Sequence, residues 1–421
     1  MKNFDTIVIG AGITGLSSAY HLKRENPDLE ICIVEKEPTY GQGNTGKSAA
    51  GFRDLFTSEI NFKLSSTSIS FYKHIQEDIG FDLGMNFVGY LFLMDNDSLD
   101  SEGVRKIRKR TDTLMLSKED VSDLGFNTNL DRKVKEIMGL KDIDGGLLGK
   151  NCGIIEPDLI LTFYARELEK MGVEMKFNTE VERLNIKPVV ELNYPGEPYV
   201  WQEKIIKSIK TNNGELSAEN YVLATDVWTN VLLDPLGIDS HIRPKKRQIF
   251  QVSGDKIKDM VTMNYKKENG IFPFTFLPKP WVYLRPEPKS KSFWVGLSDD
   301  IGRDFSLEKD PQPEIEYYNK NIYLIANEYI PAFHNSKVTS SWAGYYSLNT
   351  IDGTYYVFKE MNIIVATGSS GSGILKGDAV GRIVSALVSS KEKAVLYGGE
   401  KINIDDLGVK NRKTPTEEFV I

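Results

Sequence analysis

Apolar and polar positions alternate along this chain in two rhythms, and each rhythm predicts its own kind of element. Residues 6–9 form a short apolar run that stops at a glycine, and 30–34 form a second. Runs of this length, rich in Ile and Val, read as buried strands. Between them Leu16, Ala19, Tyr20 and Leu22 fall at helical spacing, so the chain opens as strand, tight turn, helix, strand: one βαβ unit. A longer helical pattern covers 60–79 through Phe62, Leu64, Ile69, Phe71, Tyr72 and Ile75, and 87–94 then reads as a strand. From Asp95 to about Asp142 the chain is charge-rich and only weakly helical, as an exposed cap would be. Glu156-Pro157-Asp158 opens a helix reaching about Lys170, with Pro at its first turn and carboxylates at its positive end. Strands follow at 173–177 and 220–225. Between about 241 and 334 an aromatic, Pro-punctuated pattern predicts antiparallel sheet, including Trp281-Val282-Tyr283-Leu284 and Phe293-Trp294-Val295. A strand at 362–366, a Gly/Ser turn over 368–373 and a helix from near Leu375 complete the pattern.

At 421 residues the chain exceeds one ordinary core. The two rhythms alternate rather than follow one another, which predicts an α/β (α+β) fold of interleaved parts. A Rossmann-type nucleotide-binding domain takes 1–86, 145–232 and 340–408, and a β-rich substrate or cap domain takes 87–144 and 233–339. Residues 409–421 remain as a tail. Composition is that of a globular protein, 40% hydrophobic and 26% charged. A net charge of -7 argues against a general polyanion binder, so no nucleic-acid partner is expected. No basic-then-apolar leader and no apolar run of about 18–20 residues is present. A soluble, cytoplasmic protein is the expectation, reaching the inner face of a membrane only through its electron acceptor. Cys32 and Cys152 read as small packed residues, and no metal site is expected.

Gly10-Ala11-Gly12-Ile13-Thr14-Gly15 carries the first chemistry. It follows a strand, opens a helix, and Glu35 ends the second strand about 20 residues later, as a dinucleotide fingerprint requires. Gly10 permits the tight turn, Gly12 lets backbone approach a pyrophosphate, and Gly15 lets the helix sit close to the sheet. The helix N-terminus then offers free N–H groups and partial positive charge to an anion. Glu35 would accept from ribose hydroxyls. Two further features favour FAD over NAD. The small-residue run Gly43-Asn44-Thr45-Gly46-Lys47-Ser48-Ala49-Ala50-Gly51 lets the chain wrap an extended cofactor. The strand ending at Gly368 leads through Ser370, Gly371 and Ser372 into a helix beginning Gly373-Ile374-Leu375-Lys376. That second N-terminus, placed at a flavin's pyrimidine edge, would stabilise negative charge developing there on reduction.

With these residues in view the chain resembles the D-amino-acid oxidase family of flavoproteins, which holds the glycine and sarcosine oxidases. The likeness rests on the N-terminal turn, Ala49-Ala50-Gly51-Phe52-Arg53, Gly153-Ile154-Ile155-Glu156-Pro157 and Val222-Leu223-Ala224-Thr225 with Trp228. Trp342-Ala343-Gly344 and the segment from Ala366 to Gly381 continue it in family order over nearly the whole chain. Arg243-Pro244-Lys245-Lys246-Arg247, Ser292-Phe293-Trp294-Val295, Asp310-Pro311-Gln312-Pro313-Glu314 and Ser370-Gly371-Ser372-Gly373-Ile374 are similar to the archaeal dye-linked L-proline dehydrogenases. The resemblance implies non-covalent FAD, an amino-acid substrate, and a quinone or protein acceptor in place of oxygen. It also places Lys36, Val181, Thr225, Trp228 and Gly344 on the cofactor, beside Gly10, Gly12, Ile13, Thr14, Gly15, Glu35, Gly43, Asn44, Thr45, Ser48, Ala49, Ala50, Gly371, Ser372, Gly373, Ile374, Leu375 and Lys376. Departures matter as much. Tyr345 stands where sarcosine oxidases carry a flavin-linked cysteine, and Trp294 stands where those oxidases carry a lysine that helps reduce oxygen. Tyr346 falls near the glycine-oxidase arginine, and Lys376 is displaced by one from the family's late lysine.

A substrate carboxylate buried beside a flavin needs a cation. Arg53 is the best candidate, since a guanidinium clamps a carboxylate bidentately. Tyr345, Tyr346 and Lys376 complete the predicted catalytic set. Hydride abstraction needs a neutral amine but no dedicated base, and His21, His74, His241 and His334 form no cluster; His241 is the histidine placed nearest a site. The basic run from Arg243 to Arg247 reads as a solvated strand start. Asp226, with Trp228, replaces the family's small glycine turn without a sequence-level reason. The apolar end Phe419-Val420-Ile421 is expected to dock, over the active-site mouth or on a partner subunit of a homo-oligomer. The expected reaction is L-proline to the cyclic imine 1-pyrroline-5-carboxylate. Glycine- or sarcosine-type oxidation, a glycerol-3-phosphate-type dehydrogenase and a non-catalytic flavoprotein subunit are the alternatives.

Overall fold

Strands buried on both faces are mostly apolar, as residues 7–9 and 363–366 of the first and last predicted strands are. A computed structural model of the chain describes residues 3–263, 270–410, 412, 414, 415 and 417. In it Asn3–Ile9 lies at the middle of an eight-stranded sheet, parallel to Ile31–Val34 on one side and Gly214–Leu223 on the other. Glu174–Lys176 extends the sheet beyond Ile31–Val34, and Ile363–Thr367 lies parallel to Gly214–Leu223. Tyr356–Glu360 closes that edge antiparallel. An antiparallel pair, Val181–Pro188 with Lys204–Thr211, projects from Gly214–Leu223. The sequence pattern missed this pair because it alternates Lys, Glu and Arg with single apolar residues.

The helices Ile13–Glu25, Glu59–Glu77, Pro157–Lys170 and Gly373–Val388 share one apolar core against this sheet. The first and last cross closely. A Cβ on Gly381 would lie 2.1 Å from Ser17 Oγ, so only glycine permits the approach. Further bonds fix the last helix to Glu59–Glu77: Tyr72 Oη donates to Ile374 O at 2.8 Å, and Ala379 N donates to Ser68 Oγ at 3.0 Å. Buried His21 adds a 2.6 Å contact from the first helix to Asp378 on the last.

The second sheet also has eight strands, in the order Lys337–Asn349, Ile242–Ser253, Ser292–Gly296, Tyr283–Glu287, Phe274–Phe276, Tyr90–Met94, Gly145–Gly149, Thr113–Leu116. Strand alternation gives it two different faces. Leu91, Leu93, Phe250, Val252, Phe293 and Val295 turn to one core beneath the helix Asp255–Val261 and the helical run at 315–329. Tyr90, Phe92, Phe274, Phe276 and Tyr283 turn the other way.

Gly145–Gly149 and Lys337–Asn349 both pair inside the second sheet, so the divisions expected at 145 and 340 fall within it. The span 241–334 is not all sheet, because its aromatic 315–329 portion is helical and covers the core. The cap at 95–142 contains the strand Thr113–Leu116 among short helices. Both cysteines are buried, in separate cores. Among the described residues no helix is long and apolar enough to cross a membrane.

Candidate active site

The strands of the first sheet end in a cleft that the aromatic face of the second sheet roofs. Gly10 closes the first strand at φ +103, a backbone state closed to side-chain-bearing residues at low cost. A Cβ on Gly15 would lie 1.9 Å from Gly10 O, which is why the helix can start so near the strand end. That helix is capped by Gly12 with no side-chain hydrogen bond and no acidic residue in its first turn. Its N-terminal N–H groups therefore open into the cleft, with Ile13 N donating to Thr45 Oγ1 at 3.2 Å. Glu35 is held at the same end: its carboxylate accepts from Ala11 N at 2.7 Å and Glu37 N at 3.0 Å. Lys36 Nζ sits 4.0 Å from the Trp228 ring centroid nearby.

A second helix start meets the first. Gly368, Ser370 and Gly371 all have positive φ, and Ser372 spends its hydroxyl on Ser369 O at 2.7 Å rather than on capping. The helix Gly373–Val388 thus also begins without a side-chain cap or first-turn acid. The small-residue run is anchored from the second sheet. Trp342 Nε1 donates to Lys47 O at 2.9 Å, and Arg285 Nε donates to Ala49 O at 3.1 Å.

Asp226 gains a physical account. It adopts φ +49, a conformation that Asp tolerates where most residues do not. Its carboxylate accepts from Asn44 Nδ2 at 2.6 Å and from Ser347 Oγ, while Thr367 Oγ1 donates to its carbonyl at 3.0 Å. Asn44 Oδ1 in turn accepts from Tyr345 N at 2.8 Å. This one acidic residue ties together four segments. Burial raises its pKa, and the Ser347 and Asn44 bonds oppose that rise.

At the other end of the cleft stand two buried cations. Arg53 lies with its guanidinium carbon 4.1 Å from the Phe56 ring centroid and donates to Leu55 O; Lys376 Nζ lies 4.7 Å from the same ring. Lys376 Nζ also donates to Asn61 Oδ1 at 2.7 Å. Burial, with Arg53 adding, pushes Lys376 down to about 7. Glu417 lies beside them. Burial would raise its carboxyl, but hydrogen bonds from Thr57 and Ser58 and the Arg53 charge outweigh this and hold it at about 2.

Of the residues assigned from sequence to the cofactor or to the catalytic set, all except Gly15 line this one cleft, from Gly10 and Glu35 to Lys376. Gly15 sits behind it, packed on Gly10. The two tyrosines part company. Tyr346 turns toward the late turn, where a Cβ on Gly371 would meet its ring at 2.4 Å. Tyr345 also lines the cleft wall, and its hydroxyl accepts from Glu308 N at 2.8 Å. Trp294 does not line the cleft; it packs 4.9 Å from Trp342 and 4.1 Å from the Arg285 guanidinium, behind the loop both support. His241 pairs with Asp239 outside the cleft. The basic run is likewise corrected. Lys245 is buried, with Nζ donating to Arg303 O at 2.5 Å, and Arg247 lines the cleft 5.1 Å from the Tyr346 ring. Sequence reasoning missed the aromatic wall of Tyr90, Phe274, Phe276 and Tyr283, whose period-two spacing was its one signal. It missed Glu417 too, which no local pattern could have placed. The expected docking of Phe419 to Ile421 falls outside the described residues.

These residues fit an extended dinucleotide: two uncapped helix starts, a glycine-cleared approach and a carboxylate at the ribose position share one continuous cleft. Comparison with known proteins agrees. The FAD dependent oxidoreductase family, DAO, matches residues 5–387. The chain is 25% identical over 418 residues to FAD-dependent oxidoreductase domain-containing protein 1 of Xenopus laevis, covering 91% of this chain and 79% of that protein. It is 26% identical over 410 residues to glycine oxidase of Bacillus subtilis (strain 168), covering 93% and 94%. A crystal structure of L-proline dehydrogenase from P. horikoshii superposes with a TM-score of 0.73 at 23% identity, over 97% of each chain, a likeness of fold.

Proposed function

The chain belongs to the DAO family of FAD-dependent oxidoreductases, and from that premise we propose that it oxidises L-proline to 1-pyrroline-5-carboxylate and passes the electrons to a quinone or protein acceptor. The observation that carries this reading is the juxtaposition, in one cleft, of two open helix N-termini with two buried cations and an aromatic wall. FAD bound along the helix starts, without a covalent link, supplies the hydride acceptor. Everything else falls to the chain's own side chains. Arg53 meets the substrate carboxylate, because a buried carboxylate without a cation is costly and a guanidinium offers two parallel donors. Lys376 adds a second, pH-dependent charge. Tyr90, Phe274, Phe276 and Tyr283 enclose the apolar ring and exclude water from the reacting carbon. Tyr346 presents its ring between the wall and the late turn. No base is required of the protein once the amine is neutral, and no histidine lines the cleft among the described residues.

A glycine-oxidase-like activity is the second reading, favoured by the Bacillus subtilis relative. The aromatic wall weighs against it, since glycine has no side chain to cover that surface. Steady-state turnover of the purified, FAD-loaded protein tests both. L-proline, glycine, sarcosine and D-amino acids would be offered with a dye acceptor while peroxide is measured. Dye reduction with L-proline and little peroxide supports the proposal. Stoichiometric peroxide with glycine or sarcosine would overturn it.

A further inference from the structure

The anion-binding nest beside Arg53 is filled by the chain itself. Glu417 Oε1 accepts from Thr57 N at 2.8 Å and Thr57 Oγ1 at 2.6 Å, and Oε2 accepts from Ser58 N at 3.1 Å, Ser58 Oγ at 2.9 Å and Asn61 Nδ2 at 3.3 Å. The nest is the N-terminus of the helix Glu59–Glu77, where backbone N–H groups and the helix dipole both favour negative charge. Asn61 also accepts from Lys376, and the Arg53 guanidinium acts electrostatically on Glu417. One carboxylate from a distant segment therefore stands among the same cations that an amino-acid carboxylate would seek.

That segment is pinned a short distance upstream. Arg412 holds the buried Asp352 with Nε at 2.5 Å from Oδ2 and donates to Thr354 O at 3.0 Å and Tyr355 O at 3.1 Å. Glu417 can therefore leave its nest without the strap leaving the molecule. Two carboxylates crowded on Arg53 and Lys376 would repel, so substrate and strap are competitors rather than neighbours.

We propose that Glu417 is an internal stand-in for the substrate carboxylate: a strap anchored at Arg412 lays its carboxylate in the anion subsite, and an entering amino acid displaces it. The inference rests on the amino-acid reading above. It sets the affinity of the site, because every binding event must first evict Glu417.

Calorimetric titration with cyclopentanecarboxylate tests it, since that compound keeps the ring and carboxylate of proline but has no amine to oxidise. The FAD-loaded wild type, Glu417→Ala, and a chain ending at Pro415, which keeps Arg412 on Asp352, would be compared. Both altered proteins are expected to bind at least about tenfold more tightly, because a like charge has gone from the subsite. Equal or weaker binding by both, or no binding by any form, overturns the inference. The two claims fail separately. A wild type that binds cyclopentanecarboxylate but oxidises no amino acid sinks the proposed reaction and leaves the competition standing. Proline turnover with unchanged affinity in both variants sinks the competition alone.

Discussion

Replacing Gly15 by alanine perturbs the cofactor turn by one methyl group, and its consequence can be worked from the backbone. The added Cβ would lie 1.9 Å from Gly10 O, against the 3.0 Å below which real Cβ contacts essentially never fall. The obstacle is backbone, so no side chain can swing aside, and the helix start must retreat by about 1 Å. A hydrogen bond of about 2.9 Å from a helix N–H to a phosphate oxygen would stretch toward ~4 Å, outside bonding range. Each charge-assisted bond is worth about 1.5–3 kcal/mol, so losing two costs roughly 3–6 kcal/mol. FAD affinity should fall on the order of 10²- to 10⁴-fold. Titrating apoprotein with FAD by flavin fluorescence measures it, with thermal melting of the apo form as a check on folding. If the Gly15→Ala apoprotein melts like wild type and binds FAD within about threefold, the close helix–strand approach is not what holds the nucleotide.

Other substitutions probe the far end of the cleft. Arg53→Ala removes one partner of a buried charge cluster, at a cost of roughly 3–5 kcal/mol, and should raise KM by hundreds-fold or more; Arg53→Lys should restore only part. A KM within a few-fold of wild type for Arg53→Ala would remove its role. Tyr345→Phe should lower stability by about 1 kcal/mol, from the lost bond to Glu308 N, with turnover nearly unchanged, whereas Tyr346→Phe should alter kcat/KM. The reverse pattern would mean the two rings are misassigned. Lys376, held down to about 7 by burial, is charged below that pH and neutral above it. Cyclopentanecarboxylate binding should therefore weaken as pH rises through about 7, while Arg53 stays charged and Glu417, at about 2, stays ionised. Lys376→Met should flatten that dependence, and an inflection that survives in it would refute the assignment. Asp226→Val should melt well below wild type, since a β-branched residue at φ +49 is strained and the Asn44 and Ser347 bonds are lost. An unchanged melting temperature would contradict the tying role.

What was legible in the sequence was local. The turn from Gly10 to Gly15 and the late turn from Gly368 to Gly373 declared themselves, because glycine and serine there answer to backbone geometry a few residues wide. Glu35 was legible by its distance from the turn. Pairings that join distant segments were not. Nothing in Lys337–Asn349 itself says that it will pair with Ile242–Ser253 rather than stay with the nucleotide domain. Lys245 and Arg247 read as solvated because charge density was the visible signal, whereas neighbouring loops carrying Asp299, Asp300 and Arg303 cover them. Asp226 looked arbitrary until its φ and its bonds to Asn44 and Ser347 were seen together. Glu417 depends on a contact across 360 positions with Thr57, beyond any local rule.

The central claim is that one cleft holds a flavin against the amine-bearing carbon of an amino acid, which for L-proline going to 1-pyrroline-5-carboxylate is ring carbon C5 and not the α-carbon. Anaerobic mixing of the FAD-loaded protein with L-proline, followed through the flavin's visible absorbance band, tests it most directly. Rapid bleaching that is reversed when a dye acceptor takes the electrons from the flavin is the expected result. A flavin that stays oxidised with L-proline, glycine and the remaining amino acids alike would contradict the account.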